Sequence, residues 1–191
     1  YGEVKYMAGP NGQRSALKLT DSLRQAGLEL MRFKTGTPAR IDRRSLDYSK
    51  MTPQYGDPEL RNFSFISKIT QRDQVPCYLT YTNERTHDII RKNLNRSCMF
   101  NGEIEGVGPR YCPSIESKIV RFADKDHHQL FLEPEGLRTN EVYVQGMSSS
   151  LPAEVQLEFM RTIPGLENCK MMRAGYAIEY DCLNPLQLKA S

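Results

Sequence analysis

Residues 102–118 read Gly102-Glu103-Ile104-Glu105-Gly106-Val107-Gly108-Pro109-Arg110-Tyr111-Cys112-Pro113-Ser114-Ile115-Glu116-Ser117-Lys118, gathering turn residues, cations, an aromatic ring and a thiol into one segment. Such density is unusual for a plain connector. Glycines let the backbone approach a ligand closely, Arg110 and Lys118 can neutralise phosphate, and Glu116 can accept hydrogen bonds from ribose hydroxyls. Together these groups suit a dinucleotide. Cys112 lies two residues from Arg110, a neighbour that favours a thiolate, and a thiolate can add to an electrophilic carbon such as C6 of a uracil ring. Spacing alone still favours a plainer reading, a Gly/Pro loop around a buried cysteine.

The second polar segment, Lys34-Thr35-Gly36-Thr37-Pro38-Ala39-Arg40, can meet an anion through backbone amides, Lys34 and Arg40, although a structural turn is the commoner use of such residues. Arg40, Arg43 and Arg44 suit RNA phosphates or, more commonly, a solvated face. Ser15 heads a helical segment, where capping is the usual role and a cofactor contact the minority one. Cys77, Cys98, Cys169 and Cys182 read as small core or boundary residues, and His127 and His128 as decoration of a hairpin turn. The five cysteines include no Cys-x-x-Cys pair and the three histidines no i,i+4 pair, so reduced thiols in a cytoplasmic protein and no metal are expected. No Gly-x-Gly-x-x-Gly follows a strand, so the chain is not expected to hold a flavin alone.

The 191 residues, 39% of them hydrophobic, can build one or two cored domains, and no apolar run approaches the roughly 18 residues of a membrane span. A soluble protein is expected. The net charge of +3 neither demands nor excludes RNA. The chain starts at Tyr1 rather than Met and reads as a piece cut from a longer protein.

The elements that must position these residues follow from periodicity. Ala16, Leu19, Leu23 and Ala26 recur at helical spacing over 15–26, with Gly27 as the stop; residues 28–33 then read as a strand and 34–38 as a turn. Residues 40–76 resemble an insertion outside the core, with one strand at 63–69. A strand at 77–82 precedes a helix capped by Thr82 or Asn83 and bearing Ile89, Ile90 and Leu94, with Gly102 closing the unit. Residues 119–123 and 130–133 flank a polar turn, which predicts a β-hairpin. A strand at 141–145 and a helix begun by Pro152, bearing Val155, Phe159 and Ile163 and ended by Pro164-Gly165, complete the chain.

Longer phrases carry a resemblance. Arg32-Phe33-Lys34-Thr35-Gly36-Thr37-Pro38, Gln74-Val75-Pro76-Cys77-Tyr78, Tyr81-Thr82-Asn83-Glu84-Arg85-Thr86-His87, residues 106–115, Phe131-Leu132-Glu133-Pro134-Glu135-Gly136 and Gly175-Tyr176-Ala177-Ile178-Glu179-Tyr180-Asp181 resemble, in order, the glucose-inhibited division protein A family of tRNA uridine 5-carboxymethylaminomethyl modification enzymes. The resemblance implies a cytoplasmic, homodimeric flavoprotein that acts with a tRNA-modification GTPase on the wobble uridine of tRNA. FAD is the implied bound cofactor, NADH its reductant, methylene-tetrahydrofolate the carbon donor, and glycine or ammonium the source of the amine. Gly108, Pro109, Arg110, Tyr111, Cys112, Pro113, Ser114, Ile115, Glu116, Ser117, Lys118, Ile119, Val120, Arg121 and Phe122 match the family's nicotinamide-nucleotide segment. Ser15 matches a flavin contact and Cys112 a catalytic cysteine, with Arg110 expected beside the chemistry. Ala39 stands where a second Pro is common and Ser117 where Asp is usual.

The fold class implied is α+β, part of an FAD-binding flavoprotein domain (1–36 and 134–191) interrupted by a mixed-strand, NADH-binding insertion (37–133). The family's flavin turn would precede this chain and its helical tRNA- and partner-binding region would follow it, so the piece alone is expected to be inactive. Two other readings are a folate- and flavin-dependent tRNA uracil methyltransferase, which shares fold and cofactors, and a docking module for tRNA or a partner that does no chemistry.

Overall fold

Alternating apolar residues decide the main sheet. In β5 (Gln129–Pro134) Leu130 and Leu132 are fully buried, and in β6 (Glu141–Gln145) so are Val142 and Val144, with Leu132 opposite Val144 in an antiparallel register. Around them lie β2 (Arg40–Asp42), β3 (Thr52–Gln54), β4 (Cys77–Tyr81) and β7 (Met171–Arg173), in the order β3-β4-β5-β6-β2-β7. All these pairings are antiparallel. The computed structural model describes residues 1–59, 61–69 and 73–189; parts of the 40–76 stretch and of the chain's last residues lie outside it.

Three helices bring their apolar sides to the same core. They are α2 (Glu84–Lys92) with Ile90, α3 (Ile115–Arg121) with Ile115 and Ile119, and α4 (Ala153–Met160) with Val155 and Phe159. Asn83 starts α2 with a capping box: its side chain accepts from the Thr86 N–H, and the Thr86 hydroxyl accepts from the Asn83 N–H. The remaining elements form a separate pair. β1 (Leu30–Thr37) and β8 (Tyr176–Leu183) run antiparallel over eight residues, preceded by α1 (Leu17–Gln25), which buries no residue within this chain.

Several sequence expectations change. The polar segment 34–38 is not a turn, because β8 offers pairing as far as Thr37 and the strand runs straight through Gly36. Residues 40–76 do enter the core, since β2 sits inside the sheet and Ile41 is fully buried, while 63–69 form no strand and leave Phe63 and Phe65 fully exposed. The hairpin over 119–133 is absent. Ser114 caps a helix over that first arm, burying Ile115 and Ile119 at i,i+4, and β5 pairs with β4 and β6 instead. His128 is consequently half-buried: its N–H donates to the Thr82 hydroxyl, and its ring lies 5.3 Å from that of His87. Finally, the boundary at 133/134 cuts through β5, and the same sheet continues to β7, so the strands of one unit span 40–173.

Candidate functional site

The loop before α3 is fastened to the β1/β8 pair. Val107 forms a parallel bridge with Phe33: the Val107 N–H donates to the Arg32 carbonyl at 3.1 Å, and the Lys34 N–H donates to the Val107 carbonyl at 3.1 Å. From β8, Glu179 Oε1 accepts from the N–H groups of Glu105 and Gly106 at 3.1 and 2.8 Å. Gly106 is required by proximity, because a Cβ there would stand 2.9 Å from the backbone C and O of Phe33. Gly106→Val is therefore expected to lift the loop from β1 at a cost of about 1–3 kcal/mol, read as a lower melting temperature of the full-length protein.

Beyond the bridge the loop turns back, the Cys112 N–H donating to the Pro109 carbonyl at 3.3 Å. The Ser114 hydroxyl accepts from the Ser117 N–H, and the Ile115 N–H donates to the Ser148 carbonyl at 2.8 Å, which ties α3 to the segment after β6. Between these pieces opens a cleft of about 400 Å³. It is lined from β1 by Lys34, Thr35 and Gly36, from the loop by 106–110 and 112–114, from α3 by Ser117 and Arg121, and further by Met99 and Ser148. Three cations, the hydroxyls of Thr35, Ser114, Ser117 and Ser148, and the Cys112 thiol face it, and among the described residues no carboxylate lines it. That donor set suits an anionic, polyhydroxylated ligand.

The sequence-predicted residues divide. Gly108, Pro109, Arg110, Cys112, Pro113, Ser114, Ser117 and Arg121 meet at the cleft; Tyr111 lies outside its lining, 85% exposed, with the Arg110 guanidinium 5.1 Å from its ring centre. Ile115 and Ile119 are core residues, and Val120 and Phe122 are half exposed and do not line the cleft. Glu116 is 0% exposed, so it meets no ribose from inside the core; burial pushes its carboxyl above the ordinary range, against hydrogen bonds that act the other way. Lys118 donates to the Gly146 carbonyl at 3.1 Å; its burial lowers the ammonium, and the charge of a Cys112 thiolate opposes that shift. It is a strut rather than a free phosphate ligand. Ser15 is half-buried ahead of α1, outside the cleft, and is not its cap, since Ala16 holds that position without a side-chain bond.

Of the other basic candidates, Arg40 and Arg44 are already engaged. Arg40 pairs with Glu135 at 2.6 Å, donates to the Thr37 hydroxyl and stacks on Tyr143, while Arg44 holds Asp42 at 2.7 Å and draws that carboxyl down to about 2. Sequence reasoning passed over Met99 and Ser148. The signal for Ser148 was the Ser148-Ser149-Ser150 triplet after β6, small polar residues where a strand gives way to a helix. All five cysteines are free, and Cys112 alone is exposed. Among the described residues no group of three or more His, Cys, Asp or Glu side chains could hold a metal, and no helix is long and apolar enough to cross a membrane.

Mixed strands and helices around this cleft define an α+β protein of the kind seen in Aquifex aeolicus GidA, whose form I crystal structure superposes with a TM-score of 0.87 at 49% identity, covering 98% of this chain and 32% of that one. The chain belongs to the glucose inhibited division protein A family, whose sequence profile matches residues 1–191. Relatives called tRNA uridine 5-carboxymethylaminomethyl modification enzyme MnmG are 59% identical in Lachnoclostridium phytofermentans and 61% identical in Caldicellulosiruptor saccharolyticus, each over 100% of this chain. The chain spans 31% and 30% of the length of those two relatives.

Proposed function

We propose that this chain is the central part of an enzyme that, with FAD, NADH and a GTPase partner, adds a (carboxymethyl)aminomethyl group to C5 of the wobble uridine of tRNA. The observation that carries the reading is the cleft's lining: Lys34, Arg110 and Arg121, four hydroxyls and a thiol, with no carboxylate among the described residues to repel phosphate. Pyrophosphate and ribose hydroxyls of a nicotinamide dinucleotide match that set. FAD, when bound, passes electrons from NADH to the carbon-transfer chemistry. This chain's own residues receive and orient the reductant, with Arg110 at the phosphates, while Ser15 contacts the flavin from the β1/β8 side.

Cys112 acts on the base. Addition of its Sγ to C6 of uracil makes C5 nucleophilic; once C5 has gained its new carbon, loss of the C5 proton and expulsion of Sγ restore the ring. The carbon comes from methylene-tetrahydrofolate and the nitrogen from glycine or ammonium. In this reading β1, β8 and α1 belong to the flavin-binding domain and the six-stranded unit is the NADH-binding insertion, an arrangement supported by the continuity of that sheet from β2 to β7. The whole enzyme is a cytoplasmic homodimer, and this chain alone is inactive.

Mass analysis of nucleosides from tRNA treated with the full-length protein, its GTPase partner, NADH and methylene-tetrahydrofolate tests the reading. The expected product is a 5-aminomethyl-type wobble uridine. A 5-methyluridine elsewhere in the tRNA would instead identify a uracil methyltransferase, and unmodified tRNA that binds tightly would identify a docking module.

A further inference from the structure

Glu116 is surrounded by neutral groups, three of which address the same one of its two oxygens. The Ser97 hydroxyl at 3.2 Å, the Ser149 hydroxyl at 3.1 Å and the Ser150 N–H at 3.0 Å converge on Oε1. Oε2 is buried and has no partner among the described residues. An ionised carboxylate shares its charge equally between both oxygens, so the bare Oε2 would carry half a negative charge with neither donor nor counterion. The neutral acid fits this asymmetry: the proton sits on Oε2 and Oε1 is a carbonyl acceptor. One unmet O–H costs less than a buried, unpaired charge.

The donors come from the stretches that build the back wall of the cleft. Ser97 precedes Cys98 and Met99, the latter in the lining; Ser149 and Ser150 follow Ser148, also in the lining; Glu116 itself lies between Ser114 and Ser117. Ser97 and Ser150 are further joined hydroxyl to hydroxyl at 2.7 Å. A single uncharged oxygen thus knits three chain segments behind the ligand space.

We infer that Glu116 is a neutral carboxylic acid that positions the back wall of the dinucleotide cleft through its carbonyl oxygen, without touching the ligand. The dinucleotide part rests on the function proposed above. No charged side chain is among its hydrogen-bond partners in the described residues: the groups facing it from α3, from the Ser97 turn and from the Ser149-Ser150 segment, the Ser114 hydroxyl included, are hydroxyls and backbone amides.

The test compares Glu116→Gln with Glu116→Ala in the full-length protein. Glutamine keeps the carbonyl acceptor and replaces the O–H by N–H, so it is expected to hold KM for NADH in flavin reduction close to wild type. Alanine is expected to raise KM by roughly 10-fold, with kcat affected less. Melting across pH supplies a readout that needs no nucleotide. A carboxyl raised in the folded state contributes stability that is complete below the ordinary value of 4.5 and is lost as pH climbs through the raised one. The wild-type melting temperature should therefore fall relative to that of Glu116→Gln as pH rises above that value. A Gln variant as impaired in KM as Ala, or a wild-type-minus-Gln difference that stays flat or grows with pH, overturns the inference. Because melting involves no NADH, it decides on Glu116 even if the nucleotide reading fails.

Discussion

Cys112→Ser in the full-length protein is expected to lower formation of modified tRNA by on the order of 10³-fold or more, while NADH still reduces the flavin. The size of the effect follows from the absence of a substitute. Cys98 and Cys169 are buried, and burial raises the Cys169 thiol to about 11. Cys77 is half-buried and its thiol is also raised, first by burial and then by the neighbouring Glu133 charge. Cys112 is the one cysteine that is exposed, and it lies on the cleft wall. Serine matches it in size but is a far weaker nucleophile near neutral pH, so folding and nucleotide binding persist while the tRNA step stops. Normal turnover by Cys112→Ser would exclude a required thiol.

Arg110→Ala is expected to raise KM for NADH by about 10- to 100-fold, the worth of a charge-assisted contact to phosphate, with a smaller change in the maximal rate of flavin reduction. Arg110 differs from Arg32, Arg40 and Arg44 in what it touches. Arg32, Arg40 and Arg44 each grip a carboxylate, whereas the Arg110 guanidinium lies over the Tyr111 ring beside the cleft. Arg110→Lys should recover part of the loss, because the charge survives and the planar fork does not. Stopped-flow reduction at varied NADH reads both variants. Unchanged kinetics for Arg110→Ala would remove that residue from the site.

The segment from Gly106 to Cys112 was legible because its residue types are conspicuous, but its role as a wall was not. Local composition reads as a loop, and what makes it a wall is Glu179, 73 residues away from Gly106 in sequence, together with a parallel bridge to Phe33. The same limit explains the misread turn at 34–38. Thr-Gly-Thr-Pro has turn chemistry locally, and pairing with β8 overrides it. Residues 119–123 open on the β-branched pair Ile119-Val120, which favours a strand until the Ser114 cap and the i,i+4 spacing of Ile115 and Ile119 are weighed together. Glu116 shows the opposite error: a carboxylate near cations in sequence looks like a ligand contact, and only its burial against three serines shows otherwise. By contrast β6 was readable and the cap of α2 was narrowed to Thr82 or Asn83, of which the structure selects Asn83, since alternation and capping are local signals.

A nicotinamide dinucleotide is expected to occupy the cleft between β1 and α3, against Cys112. Alkylation of Cys112 in the full-length protein, followed by peptide mass analysis with and without saturating NAD⁺, measures this directly, because the exposed thiol reports on its own surroundings. Bound nucleotide is predicted to slow labelling of Cys112 and to leave the slow labelling of buried Cys98 and Cys169 unchanged. Labelling of Cys112 at the same rate with and without NAD⁺, in a preparation whose flavin NADH reduces normally, would place the nucleotide elsewhere and contradict the account.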